Sequence, residues 1–138
     1  MDKIFLDTNV ALDFLQNRHP FVIAANEIFK RSLRGQTELY VSALTICNVA
    51  YVIRKTASSH VKQILTELEP LVKVLPIDSN IINSALASPF KDFEDAVQYN
   101  CALQMKNIST IITRNESDFI HSKIRILSPE KYLIENPI

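Results

Sequence analysis

Short apolar runs alternate along this chain with longer stretches whose apolar residues recur every three or four positions. The first pattern marks buried strands and the second amphipathic helices. Lys3-Ile4-Phe5-Leu6 reads as a strand ending at Asp7, with Thr8 capping a helix over Asn9–Gln16 that carries Val10, Leu12 and Leu15. Pro20 suits a first helical turn. Phe21, Ala24, Ala25, Ile28, Phe29 and Ser32 then share one face of a helix that stops at Gly35. Glu38–Val41 is a second strand, and Ser42 caps a helix over Leu44–Lys55 whose apolar character predicts burial. Ser58 or Ser59 caps a helix with the stripe Val61, Ile64, Leu65 and Leu68. Val72–Ile77 is a third strand, and Asp78 or Ser79 caps a helix carrying Ile81, Ile82, Ala85 and Leu86. Asp92–Lys106 is the next helix, Thr110–Thr113 and Ile124–Leu127 the fourth and fifth strands, and Pro129 opens a short last helix.

Five short strands separated by helices imply parallel pairing through right-handed crossovers. The expected fold is α/β, a three-layer sandwich around a mostly parallel five-stranded sheet, in a single domain over residues 1–138. With 138 residues, 47% of them hydrophobic, the chain can bury a real core and is not a disordered tail. The formal net charge is zero, which argues against a strongly basic nucleic-acid binder and leaves any such contact to local patches or to metal ions. The single glycine, Gly35, excludes glycine-rich phosphate loops. No apolar run is long enough to predict a membrane span, and Asp7 and Asp13 break the N-terminal apolar stretch against a signal peptide. Cys47 and Cys101 have no metal-ligand spacing and read as reduced core thiols of a cytoplasmic protein.

In a parallel sheet, functional groups gather beyond the carboxyl ends of the strands, near a switch in strand order. Asp7-Thr8-Asn9 follows the first strand, and Thr113-Arg114-Asn115 with Asp118 follows the fourth. The helix feeding the fourth strand starts with Asp92, Glu94 and Asp95, and its N-terminus faces the same edge. Asp7, Asp95 and Asp118 are therefore expected to converge. Carboxylates gathered without basic partners call for a hard divalent cation, or else a pKa rises. Such a cation makes its bound water more acidic and neutralises charge on a phosphodiester. Taken singly, each acid has a plain structural role: Asp7 as a helix cap, Asp95 and Glu94 at the positive end of a helix, Asp118 in a turn. Their shared edge favours a site. Arg114 either neutralises the acids or contacts substrate phosphate. Lys30, Arg31 and Arg34 read as a solvated face, Tyr51 and Tyr99 as core or interface. His19, His60 and His121 show no ligand spacing.

The chain resembles the PIN-domain family. The resemblance rests on Ile4-Phe5-Leu6-Asp7-Thr8-Asn9-Val10, Val41-Ser42-Ala43-Leu44-Thr45, Asp95-Ala96-Val97-Gln98 with Ala102, Ile111-Ile112-Thr113-Arg114-Asn115, and Asp118-Phe119. Within the family it is similar to the short bacterial members of VapC-toxin type. The resemblance implies a parallel sheet with clustered acids, one or two Mg2+ or Mn2+ ions, cleavage of single-stranded RNA, homodimers and an antitoxin protein as partner. Asp7 matches the first family acid and Asp95 the acid opening the later helix. Asp118 or Asn115 stands where the last acid is expected, and Asn9 and Thr113 match supporting polar positions. The glutamate common in the helix after the second strand is replaced by Asn48, and Asn115 is a second acid-to-amide change. These amides weaken the expected metal affinity, and Glu94 is a candidate to compensate.

The leading expectation is thus a metal-dependent endoribonuclease, the toxin of a toxin–antitoxin pair. The alternative is a catalytically weakened RNA-binding or interaction module on the same fold. A haloacid-dehalogenase type of phosphotransferase needs a second aspartate two residues after the first, where Asn9 stands.

Overall fold

The computed structural model describes all 138 residues, Met1–Ile138. The strands are β1 (Asp2–Leu6), β2 (Thr37–Ser42), β3 (Lys73–Leu75), β4 (Thr110–Ile112) and β5 (Arg125–Leu127). The helices are α1 (Thr8–Leu15), α2 (Val22–Leu33), α3 (Ala43–Ala57), α4 (Val61–Leu68), α5 (Ser79–Ala87), α6 (Phe93–Leu103) and α7 (Pro129–Glu135). The strands form one sheet in the order β3-β2-β1-β4-β5, every neighbouring pair parallel. The chain builds outward from β1 to β2 and β3, then returns to the other side of β1 for β4 and β5. The order therefore reverses at the β1/β4 seam, and the crevice beyond the carboxyl ends opens there.

Alternation along β1 explains the layers. Ile4 and Leu6 join Leu39, Val41, Ile112 and Leu127 on one face, against Ala25, Ile28 and Phe29 of α2 and Tyr132 of α7. Phe5 points the other way and packs with Tyr40, Ile111, Tyr99, Ala102 and Phe119. Both faces of a parallel sheet are buried in this way, which is why its strands read as continuous apolar runs. Phe14 and Phe29 stack at 3.9 Å between centroids and tie α1 to α2.

Three caps follow the sequence expectation: Ser42 accepts from the Thr45 amide, Asp78 from Ile81, and Gly35, at φ +75°, follows the end of α2 in a backbone region that glycine adopts freely. Others differ. Asp7, not Thr8, caps α1, because its backbone is extended and its carboxylate accepts from the Thr8 amide. Neither Ser58 nor Ser59 caps α4; a 3-10 turn over Ser58–His60 leads into that helix instead. β3 is half its expected length, since Pro76 has no N–H to offer a ladder.

α3 was expected to be buried and is not. Only Thr45, Val49 and Ile53 of its residues are buried, and Cys47 and Tyr51 are exposed, because no layer covers the outer face of this helix. Cys101 is a core thiol as expected, its pKa pushed up to about 11 by burial. Tyr99 is buried. Arg31, read as solvated, is buried, and its guanidinium donates to the Asn136 carbonyl beside α7. No helix is long and apolar enough to cross a membrane.

Candidate active site

Asp7 ends β1 at the seam and is buried. Its Oδ2 accepts from the Thr113 hydroxyl at 2.8 Å, just past the end of β4. Its Oδ1 accepts from the Thr8 amide at 2.8 Å and from the Gln98 side-chain nitrogen at 3.3 Å. Burial raises the Asp7 pKa; the hydrogen bonds from Thr113, Thr8 and Gln98 oppose that rise, and the Asp118 charge adds to it.

Gln98 is the hub beneath this carboxylate. It lies on α6, is buried, and also donates to the Thr45 hydroxyl at 2.8 Å and the Thr8 hydroxyl at 3.3 Å. Its carbonyl oxygen accepts from the Ser42 hydroxyl. Thr8 and Thr45 hydroxyls meet at 2.8 Å. The junction of β1 with α1, the end of β2 and the helices α3 and α6 are thus pinned together by one polar network. Such a network holds its geometry only while every member is satisfied.

Above it opens a cleft of about 340 Å³ whose lining includes Asp7, Asn9, Asn48, Glu94, Asp95 and Asn115. Asp95 sits in the first turn of α6, one turn from Gln98, with Asp92 capping the helix through the Asp95 amide at 3.0 Å. Burial, then the charges of Asp7, Asp92, Asp118 and Glu94, push the Asp95 pKa up to about 7. Asp118 is exposed in a 3-10 turn over Glu116–Phe119. It lines an adjoining depression of about 310 Å³ with Lys91, Asp92, Ser117 and His121; Asp95 borders both hollows. Asp7 and Asp95 therefore share the main cleft, Asn115 lines it from the β4 side, and Asp118 stands beside it.

Thr113 orients Asp7 and accepts from the Asn115 amide at 3.0 Å. Asn9 accepts from the Arg114 amide at 3.4 Å. The Arg114 side chain corrects the sequence reading: it turns away from the acids to grip buried Asp13, at 2.7 Å from Nε to Oδ2, and lies 4.0 Å above the Phe21 ring. Gln98 and Asp13 were missed as key residues. The only sequence signal for either was a polar residue at an inward-facing position of an apolar helix.

The polar residues lining the main cleft carry carboxylates, side-chain amides and the hydroxyls of Thr8 and Tyr51, with no thiol or imidazole among them. That set suits a hard, oxygen-ligated cation rather than zinc. Asp95, half-buried among negative charges, is the kind of group that such an ion relieves. No three acids, histidines or cysteines are drawn together as a preformed metal cage. Asp7 and Asp95 with the Asn48 and Asn115 amides thus offer a hard divalent cation oxygen donors of reduced negative charge. A larger groove lies elsewhere, about 700 Å³ between α3, α4 and β3, and contains none of these acids.

A family model described as PIN domain matches residues 3–117. No curated protein matches the chain in sequence. Among solved structures, a chain of a toxin-antitoxin complex from Klebsiella pneumoniae is 22% identical, with a TM-score of 0.68 over 91% of this chain and 97% of its own. A chain of VapBC2 from Rickettsia felis, bound to a promoter DNA fragment, is 10% identical, with a TM-score of 0.66 over 91% and 98%. A chain of DNA-bound VapBC from Salmonella typhimurium is 18% identical, with a TM-score of 0.67 over 94% and 99%.

Proposed function

The chain belongs to the PIN-domain family, whose members are generally divalent-metal-dependent nucleases, and from that premise we propose that it is an endoribonuclease using Mg2+ or Mn2+, the toxin of a toxin–antitoxin pair. The observation that carries the reading is the pairing of Asp95, left among negative charges, with Asp7, fixed by Thr113 and Gln98, across one cleft.

Asp7 and Asp95 hold the cation, with Asn48, Asn115, Asn9 and Glu94 lining the same cleft to supply neutral or additional oxygens. Asp118 completes the negative field from the adjoining hollow. A bound ion supplies neutralisation of phosphodiester charge and a water of lowered pKa. Thr113 and Gln98 keep the Asp7 oxygens in place, so that little reorganisation is left for the reaction. In this reading the protein acts on RNA in the cytoplasm as a homodimer, restrained by an antitoxin protein. The toxin–antitoxin assemblies named for its structural relatives support that arrangement.

Asn48 and Asn115 favour a second reading, a weakened RNA-binding or interaction module. Two measurements separate them. Labelled RNA incubated with Mn2+ should be cut by the wild type, and cutting should stop with EDTA and in D7N. Persistence of cleavage in D7N removes Asp7 from the site. Calorimetry with no Mn2+ binding at millimolar ion favours the module.

A further inference from the structure

Of the cleft wall that α3 forms, the acid chemistry uses Asn48 alone. Leu44, Asn48, Tyr51 and Val52 of α3 face it, a helical stripe that starts at the acids and runs away from them. Tyr51 is 53% exposed, although a tyrosine of this size gains by burial. One turn further, Arg54 lies 4.5 Å and Lys55 4.7 Å from the centre of its ring. Neither cation meets a carboxylate within ion-pair distance; Lys3, Lys30, Lys62, Lys91, Lys106 and Lys123 share that state, but only Arg54 and Lys55 lie over the ring of an aromatic that lines the cleft. Two unneutralised positive charges thus gather on an exposed aromatic at the rim of a negative cleft.

We infer that Tyr51, Arg54 and Lys55 form a clamp for unpaired RNA, carrying the strand to the acids. The aromatic and guanidinium planes take a base, and the two cations take the phosphates that flank it. Bases are free to stack only where they are unpaired, so the clamp selects single strands. It also supplies local positive charge to a chain with no net charge. A structural alternative exists, since Arg54 and Lys55 occupy the last turn of α3, where cations favour the helix dipole. That role would appear in stability and not in RNA affinity or its salt dependence. The clamp rests on the ribonuclease reading, and the experiment keeps the two apart.

The test is fluorescence anisotropy of a fluorescein-labelled 12-nucleotide RNA without self-complementarity, in EDTA, across a salt series. In R54Q/K55Q the dependence of log affinity on log salt should flatten by about 1.4, at about 0.7 per lost phosphate contact on a single strand. Affinity at low salt should fall about tenfold for the same reason. Y51A should bind about tenfold more weakly with the slope nearly unchanged, and Y51F should bind as the wild type, because stacking needs the ring and not the hydroxyl. All three positions are exposed, and melting temperatures within a few degrees of wild type confirm folding. Wild-type affinity and slope in both Y51A and R54Q/K55Q would overturn the clamp and leave the ribonuclease reading standing. Failure of the wild type itself to bind the RNA in EDTA would overturn the clamp, while the ribonuclease reading stands or falls on cleavage in Mn2+.

Discussion

Arg114 forks over the buried Asp13 carboxylate, Nε to Oδ2 at 2.7 Å and an outer nitrogen to Oδ1 at 3.2 Å. This joins the loop after β4 to the middle of α1. Asp13 is 1% exposed, so removing Arg114 leaves its charge in the core with only the longer 3.9 Å contact to Arg18. R114M should cost about 3 kcal/mol of unfolding free energy, seen as a lower urea midpoint with an unchanged slope. D13N/R114M should recover most of the loss. An equal loss in the single and double variants would show that the ion pair is not its source.

Gln98 satisfies Asp7, Thr45, Thr8 and Ser42 at once. A methionine of similar length fills the space and satisfies none of them. Q98M should destabilise the protein by about 2 kcal/mol and weaken Mn2+ binding in calorimetry, since Asp7 loses one of its holders. Unaltered metal affinity in a folded Q98M would show that Asp7 needs no such support.

Asn48 and Asn115 lower the negative charge of the cleft. N48E and N115D should each tighten Mn2+ binding by about tenfold, because ligand charge count tunes the affinity of hard cations. Each should also lower the melting temperature in EDTA through repulsion with Asp95 and Asp7. Calorimetry and thermal melts with and without Mn2+ read both effects. Unchanged binding in either variant would place that side chain away from the ion.

The proton on Asp95 gives a pH signature. Its pKa is about 7 in the folded chain against 3.8 for the ordinary side chain, chiefly through burial. Between these values the folded form holds a proton that the unfolded chain releases. The stabilising contribution is therefore full below about pH 4 and lost as pH rises through 7. Metal-free wild type should lose melting temperature relative to D95N across that range, and D95N should be the more stable of the two at pH 8. Mn2+ should restore the wild type at pH 8 and bind it progressively less well below pH 7. Parallel wild-type and D95N curves would show that Asp95 titrates normally.

The alternation of apolar runs and helical stripes was enough to read all five strands and the parallel sheet, because both faces of that sheet are dry. The carboxyl-end rule by itself puts Asp7 and Asp95 at one edge of the sheet. Side-chain commitments were harder to read. Arg114 faced a choice between the acids beside it and Asp13, more than a hundred residues earlier, and only packing decides between them. Gln98 looks like any polar helix residue until β1, β2 and α3 bring it partners. The stripe on α3 has enough apolar residues for burial, yet no layer covers its outer face, so Tyr51, expected in core or interface, stands exposed on this chain.

Thr113 meets Asp7 across 106 positions of sequence, and β4 docks directly against β1. A growing polypeptide still emerging from the ribosome holds only half of this pair. On the proposed function, the nascent chain would be harmless to the RNA around it until its last third is made, giving a binding partner time to arrive.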